Sequence, residues 1–153
     1  MAIKYQFVEE LPATPERVWA AISNVDQVTA WMPGVVKIET LVDRGFAAGH
    51  SFRETRKMFG KEASEVFEVK AADPGRSLHL FVDGTKGTMG KGLYDFRYRF
   101  ERRGDGTVMH IDADIGGFGW FGTLMCKLFG GMMKSGIRKD HDALRKYLQQ
   151  SAK

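Results

Sequence analysis

The sequence predicts an α+β fold: a curved, seven-stranded antiparallel sheet wrapped around a long C-terminal helix, with two short helices between the first and second strands. Three observations lead there. From Val35 to His110 the chain reads almost entirely as strands, joined by turns too short for parallel crossovers, so consecutive strands pair antiparallel. A single segment, from about Phe121 to Gln150, is long enough and apolar enough on one side to cover such a sheet. The length of 153 residues fits one domain, taken as 1–150.

The elements follow in order. Ile3, Tyr5 and Phe7 alternate with Lys4 and Gln6, the period of a strand with one buried face. Thr14-Pro15-Glu16 starts a helix, with Thr14 as N-cap and Pro15 at the first helical position, where its missing N–H is not needed. Val18, Trp19 and Ile22 form its apolar face. Asn24 or Asp26 caps a second short helix that Pro33-Gly34 ends. Val36, Ile38 and Leu41 mark the second strand, followed by a loop through Arg44-Gly45 and Ala48-Gly49. His50–Met58 and Lys61–Ala71 flank a hairpin turn at Phe59-Gly60. Leu78, Leu80 and Val82 alternate in the next strand. The glycines of 84–92 have neither the Lys-Ser/Thr ending nor the following helix of a phosphate loop, and they mark bends instead. Tyr94, Phe96, Tyr98 and Phe100 alternate with charged residues in the clearest strand. Met109, Ile111, Ala113 and Ile115 do so in the last. In the C-terminal helix Cys126, Met133, Ile137, His141, Leu144 and Leu148 share one face.

Composition narrows the function. Lys and Arg exceed Asp and Glu by 23 to 19, a net charge of +4, and the charges are scattered, which argues against nucleic acid. The single cysteine, Cys126, excludes an internal disulfide framework and reads as a small buried hydrophobe among Leu124, Leu128 and Phe129. The N-terminus lacks the basic and apolar regions of a signal peptide, and no uninterrupted apolar window spans a membrane, so a cytoplasmic location is expected. His50, His79, His110 and His141 show no metal-ligand spacing, and no metal or cofactor is implied; His79 and His110 are expected to face solvent, His50 and His141 the interior.

The first strand followed by Pro12-Ala13-Thr14-Pro15-Glu16-Arg17-Val18-Trp19, then Asn24-Val25-Asp26 and Trp31-Met32-Pro33-Gly34-Val35, with the long C-terminal helix, resembles the START-like superfamily. This is the polyketide cyclase/dehydratase and lipid-transport group (SRPBCC), which shares the birch-pollen-allergen or helix-grip fold. The resemblance covers essentially the whole chain. It implies a cavity between sheet and helix for a hydrophobic ligand, or cyclase chemistry, and it supplies no shared catalytic motif.

The residues themselves offer two candidate sites. Pairing Met58 with Lys61 sets the hairpin register so that Phe52 faces Phe67, Glu54 faces Glu65, and Arg56 faces Ala63. Two carboxylates then stand about 5 Å apart at Cβ with Arg56 on the same face, an arrangement suited to acid–base work. The competing reading is a solvated surface cluster. The second site is a cavity floored by Leu78, Leu80, Tyr94, Phe96, Tyr98, Phe100, Met109, Ile111 and Ala113. Phe52 and Phe67 add to its wall, and Trp31 stands at its entrance with its indole N–H needing a partner. From Phe118 to Met133 the helix has almost no polar face, so Trp120, Leu124, Leu128 and Met133 either line the cavity, pack in the core, or touch a membrane with help from Lys127 and Lys134.

The favoured expectation is therefore binding, and carriage, of a hydrophobic or amphipathic small molecule, lipid-like or polyketide-like, by a monomer or homodimer with at most transient membrane contact. The alternative is a cyclase/dehydratase-type enzyme using Glu54, Glu65 and Arg56.

Overall fold

The computed structural model describes residues 3–58, 60–128 and 130–150. The first strand, β1 (Ile3–Leu11), leads into helix α1 (Pro15–Ser23) and a 3-10 helix (Val25–Ala30). Strands β2 (Val35–Val42), β3 (Ser51–Met58), β4 (Lys61–Asp73) and β5 (Ser77–Asp83) follow. After a one-turn 3-10 helix (Gly84–Lys86) come β6 (Leu93–Arg103) and β7 (Gly106–Gly116). Helices α2 (Gly119–Leu128) and α3 (Gly130–Gln150) occupy the span read as one helix. Phe129, assigned to that helix, and Phe59, assigned to the hairpin turn, lie outside the described residues.

The expected architecture is present. Seven strands form one antiparallel sheet in the order β1-β7-β6-β5-β4-β3-β2. Strands β1 and β2 thus sit at opposite edges, and α1 with the 3-10 helix carries the chain from one edge to the other. Thr14 caps α1 as its sequence requires: its side-chain oxygen accepts from the Arg17 N–H at 3.4 Å, and Pro15 occupies the first turn. The β3–β4 register is the predicted one, with Phe52 opposite Phe67 (rings stacked at 5.1 Å), Glu54 opposite Glu65, and Arg56 opposite Ala63. Strand β2 departs from expectation. Val35 is buried, whereas Val36 and Leu41 are exposed, because register shifts at Val35/Lys37 and Thr40/Val42 rotate this edge strand.

The core lies between the concave face and α3. Leu144 and Leu148 of α3 pack with Val18 of α1, Phe7 and Leu11 of β1, and Leu78, Met109 and Ile111 of the central strands. Trp19 packs edge-on against Phe46 and Phe100, sealing this end of the grip. His79 and His110 lie on the outer face, bound to Asp95 (2.8 Å) and Glu101 (3.1 Å); His50 and His141 are buried.

Candidate functional site

Beside this core, between α3 and the sheet, lies a cavity of about 170 Å³. Its walls come from the β-strands, α1, the 3-10 helix and α3. Among the residues expected to line it, Trp31, Phe52, Phe67, Leu80, Phe96, Tyr98 and Met109 do so. Leu78, Phe100 and Ile111, expected in its floor, belong instead to the core packed with Val18 of α1 and Leu144 and Leu148 of α3, and Ala113 is fully buried away from the lining. Tyr94 lies beyond the cavity, its ring edge-on to Phe118 at 6.0 Å. Met133 does not reach the lining. Trp120, Leu124 and Leu128 point outwards, 81%, 46% and 67% exposed, because α2 docks through the opposite face, where Thr123 is buried. The volume is also below the ~300–1,000 Å³ of a drug-sized site.

One corner of this apolar chamber is charged. Glu54 and Arg56, two residues apart on β3, both point inwards, as strand alternation demands. The Arg56 Nε–H donates to Glu54 Oε1 at 2.5 Å, and its two terminal nitrogens grip both oxygens of Asp140 on α3 at 3.2 and 3.0 Å. Arg56 also approaches the Met32 sulfur at 2.9 Å. The cluster is therefore not a solvated surface group: Glu54 is buried, and Arg56 is more than two-thirds buried. Burial pushes the Glu54 carboxyl above the usual carboxylate range, against the pull of Arg56. Burial also works against the charge on Arg56, but Glu54 and Asp140 outweigh it and hold the guanidinium firmly protonated. The Tyr98 phenol is pushed up by burial first and by Asp140 and Glu54 second.

Glu65 does not join this cluster. Although it is the cross-strand partner of Glu54, its carboxylate lies against Gly87 of the β5–β6 connection, where an added Cβ would come within 2.3 Å of Oε2. Cross-strand partners share a face, but side chains this long diverge towards different neighbours. Burial, then the nearby Asp83, raises its pKa, and Oε2 is buried with no hydrogen-bond partner.

Several lining residues were not singled out from the sequence. Asp140 is the main one, and a signal existed: it stands three residues after Ile137 and four before Leu144, on the inward stripe of α3. Phe46 is another. The residue lies in the β2–β3 loop with φ of 59°, an unusual backbone for a bulky side chain, and its ring is buried against Trp19 and Phe52. Trp31 flanks the cavity, stacked on Tyr147 at 6.2 Å, yet its buried Nε1 finds no partner, because the surrounding wall is apolar. His141 completes the lining; its ring is edge-on to Phe7 at 5.6 Å, and its Nδ1 lies 3.5 Å from Glu9, which Arg145 holds at 2.7 Å. Burial lowers its pKa, with Glu9 partly opposing. Among the described residues no three His, Cys, Asp or Glu side chains gather to hold a metal ion, and no helix is long and apolar enough to cross a membrane.

Comparison with known proteins places this geometry. A family model described as polyketide cyclase / dehydrase and lipid transport matches residues 2–149. A protein from Thermus thermophilus superposes with a TM-score of 0.79 at 18% identity, covering 99% of this chain and 100% of that one. A START superfamily protein from Mycobacterium smegmatis gives 0.75 at 16% identity over 96% and 97% of the two chains. The Zhui aromatase/cyclase from Streptomyces sp. R1128 gives 0.81 at 13% identity over 100% and 97%. No protein of curated function matches the sequence significantly.

Proposed function

The chain belongs to the polyketide cyclase/dehydrase and lipid-transport family, and we propose that within it this protein binds a small amphipathic molecule, apolar body in the cavity and polar end at Arg56. The observation that carries the reading is an apolar chamber with one charged corner, formed where Glu54, Arg56 and Asp140 meet. Ligand sites are built this way, with few polar groups set in an apolar wall to fix orientation. A cavity of ~150 Å³ holds a benzene-sized guest, so the volume of about 170 Å³ suits a single ring. A longer lipid-like or polyketide-like molecule requires the walls to part, and Met32, flexible and partly exposed as its fellow lining residue Ile137 also is, marks where they would do so. Two carboxylates around one guanidinium leave no surplus positive charge, which favours a neutral hydroxyl or carbonyl over a carboxylate at the polar end. Native mass spectrometry of the purified protein for a co-purifying molecule, followed by calorimetry with phenol and benzoate, tests this. Phenol binding that is lost in the cavity-filling Ile137→Trp supports the reading. Binding unchanged by that substitution overturns it.

A second reading, a cyclase/dehydratase-type lyase, is favoured by the buried Glu54 carboxyl with its raised pKa beside the Tyr98 phenol. A carboxyl with a raised pKa can hold and pass a proton that an ordinary carboxylate has released, while Arg56 polarises an oxygen. Asp140, rather than Glu65, is the second carboxylate in reach. Here Glu54→Gln abolishes turnover and spares binding, an outcome that separates enzyme from carrier.

A further inference from the structure

Helix α2 is inside out. Trp120, Phe121, Leu124, Met125 and Leu128 recur at the spacing of one helical face, and every one of them is exposed. The face turned towards the protein is made of small residues. Thr123 is buried with its hydroxyl donating to the Gly119 carbonyl at 2.6 Å, and an added Cβ at Gly122 would lie 2.5 Å from the Phe118 Cβ. An amphipathic helix that serves its own core does the reverse. A contiguous apolar surface of this kind marks a binding site.

The charges around it are of one sign. Between Ile115 and Lys139 every charged residue is basic, Lys127 standing on α2 itself, three residues from Leu124 and exposed. The β5–β6 connection adjoins this helix, with the Phe118 ring 2.6 Å from where a Gly92 Cβ would lie, and it adds exposed Lys86 and Lys91 without any acid. Of the acidic groups at the margins, Asp83 is bonded to Thr85, Asp114 is paired with Arg97, and Glu65 lies against Gly87 with its Oε2 buried.

We propose that α2, with Lys86, Lys91 and Lys127 around it, docks on the surface of an anionic lipid bilayer. Trp120 and Phe121 enter the boundary between headgroups and acyl chains, where amphipathic aromatic rings settle, and the lysines meet the lipid phosphates. The surface lies outside the cavity lining, so docking does not depend on what the cavity holds. Vesicle flotation tests it, with phosphatidylcholine alone and with phosphatidylcholine mixed with phosphatidylglycerol. The protein is expected to float with the mixed vesicles, less so as salt rises. Binding should weaken about tenfold or more in Lys127→Glu, which reverses one charge at the surface. The doubly substituted Trp120→Ser/Phe121→Ser should lose it, with circular dichroism unchanged because both side chains are exposed. Absence of binding to the mixed vesicles at low salt overturns the proposal. So does equal binding by all three proteins, or a concentration-dependent dimer in sedimentation that the double substitution abolishes, which would assign the face to a second copy.

Discussion

Arg56 of β3 holds Asp140 of α3 across 84 residues of sequence through two parallel hydrogen bonds, at 3.2 and 3.0 Å, while its Nε holds Glu54. The pair is a polar tie between sheet and C-terminal helix at the cavity wall, and bidentate pairing fixes the direction of the guanidinium as well as its position.

Removing the cation should leave two carboxylates in an apolar chamber. Arg56→Met is expected to destabilise the fold by about 3 kcal/mol in urea denaturation, as breaking a buried ion pair from one side does. Asp140→Asn keeps the shape and one acceptor and should be milder. In the double-mutant cycle the two sites should couple by more than about 1 kcal/mol; additivity would mean that the tie contributes nothing.

Glu65 should tilt the pH profile of stability. Its folded pKa is raised, so above the ordinary carboxylate range the folded state retains a proton that the unfolded state has released. Stability therefore falls as pH climbs from the ordinary 4.5 through the raised value. Glu65→Gln should flatten the thermal-unfolding profile there and leave cavity binding untouched, and a profile parallel to that of the unsubstituted protein would contradict this.

His141 should act in the opposite sense. Burial depresses its pKa, so acidification below about 6.5 protonates the unfolded chain first. The contribution is whole above that pH and is lost as pH falls through the folded value. The melting temperature is expected to drop over this range less in His141→Gln than in the parent. A ring that titrates at the ordinary value by NMR would refute the burial argument.

The three tryptophans should separate by emission. Trp120 is exposed, Trp19 packs against Phe46 and Phe100, and Trp31 borders the cavity. Acrylamide should quench mainly the signal absent from Trp120→Phe. Quenching by an aromatic cavity guest should vanish in Trp31→Phe; full amplitude there would displace Trp31 from the site.

Much of this was legible in the sequence because it depends on local rules. Period-two alternation in β5, β6 and β7 assigns a face to each residue. Thr14-Pro15 can start a helix in one way only, and the turn at 58–61 carries the register of β3 and β4 with it, placing Glu54 opposite Glu65. Tertiary structure decided the rest. A face assignment does not say how far along the sheet the helix packs, so Leu78 and Ile111 became solid core while Phe96 and Tyr98, on the same face, border a space. Two carboxylates on one face acquired different neighbours, Arg56 and Asp140 for Glu54, Gly87 and Asp83 for Glu65, because the β5–β6 connection folds over one of them alone. Helix periodicity likewise shows that Trp120, Leu124 and Leu128 share a side but not which way that side turns. In the fold the buried side is the one that carries Thr123, so the large side chains face outwards.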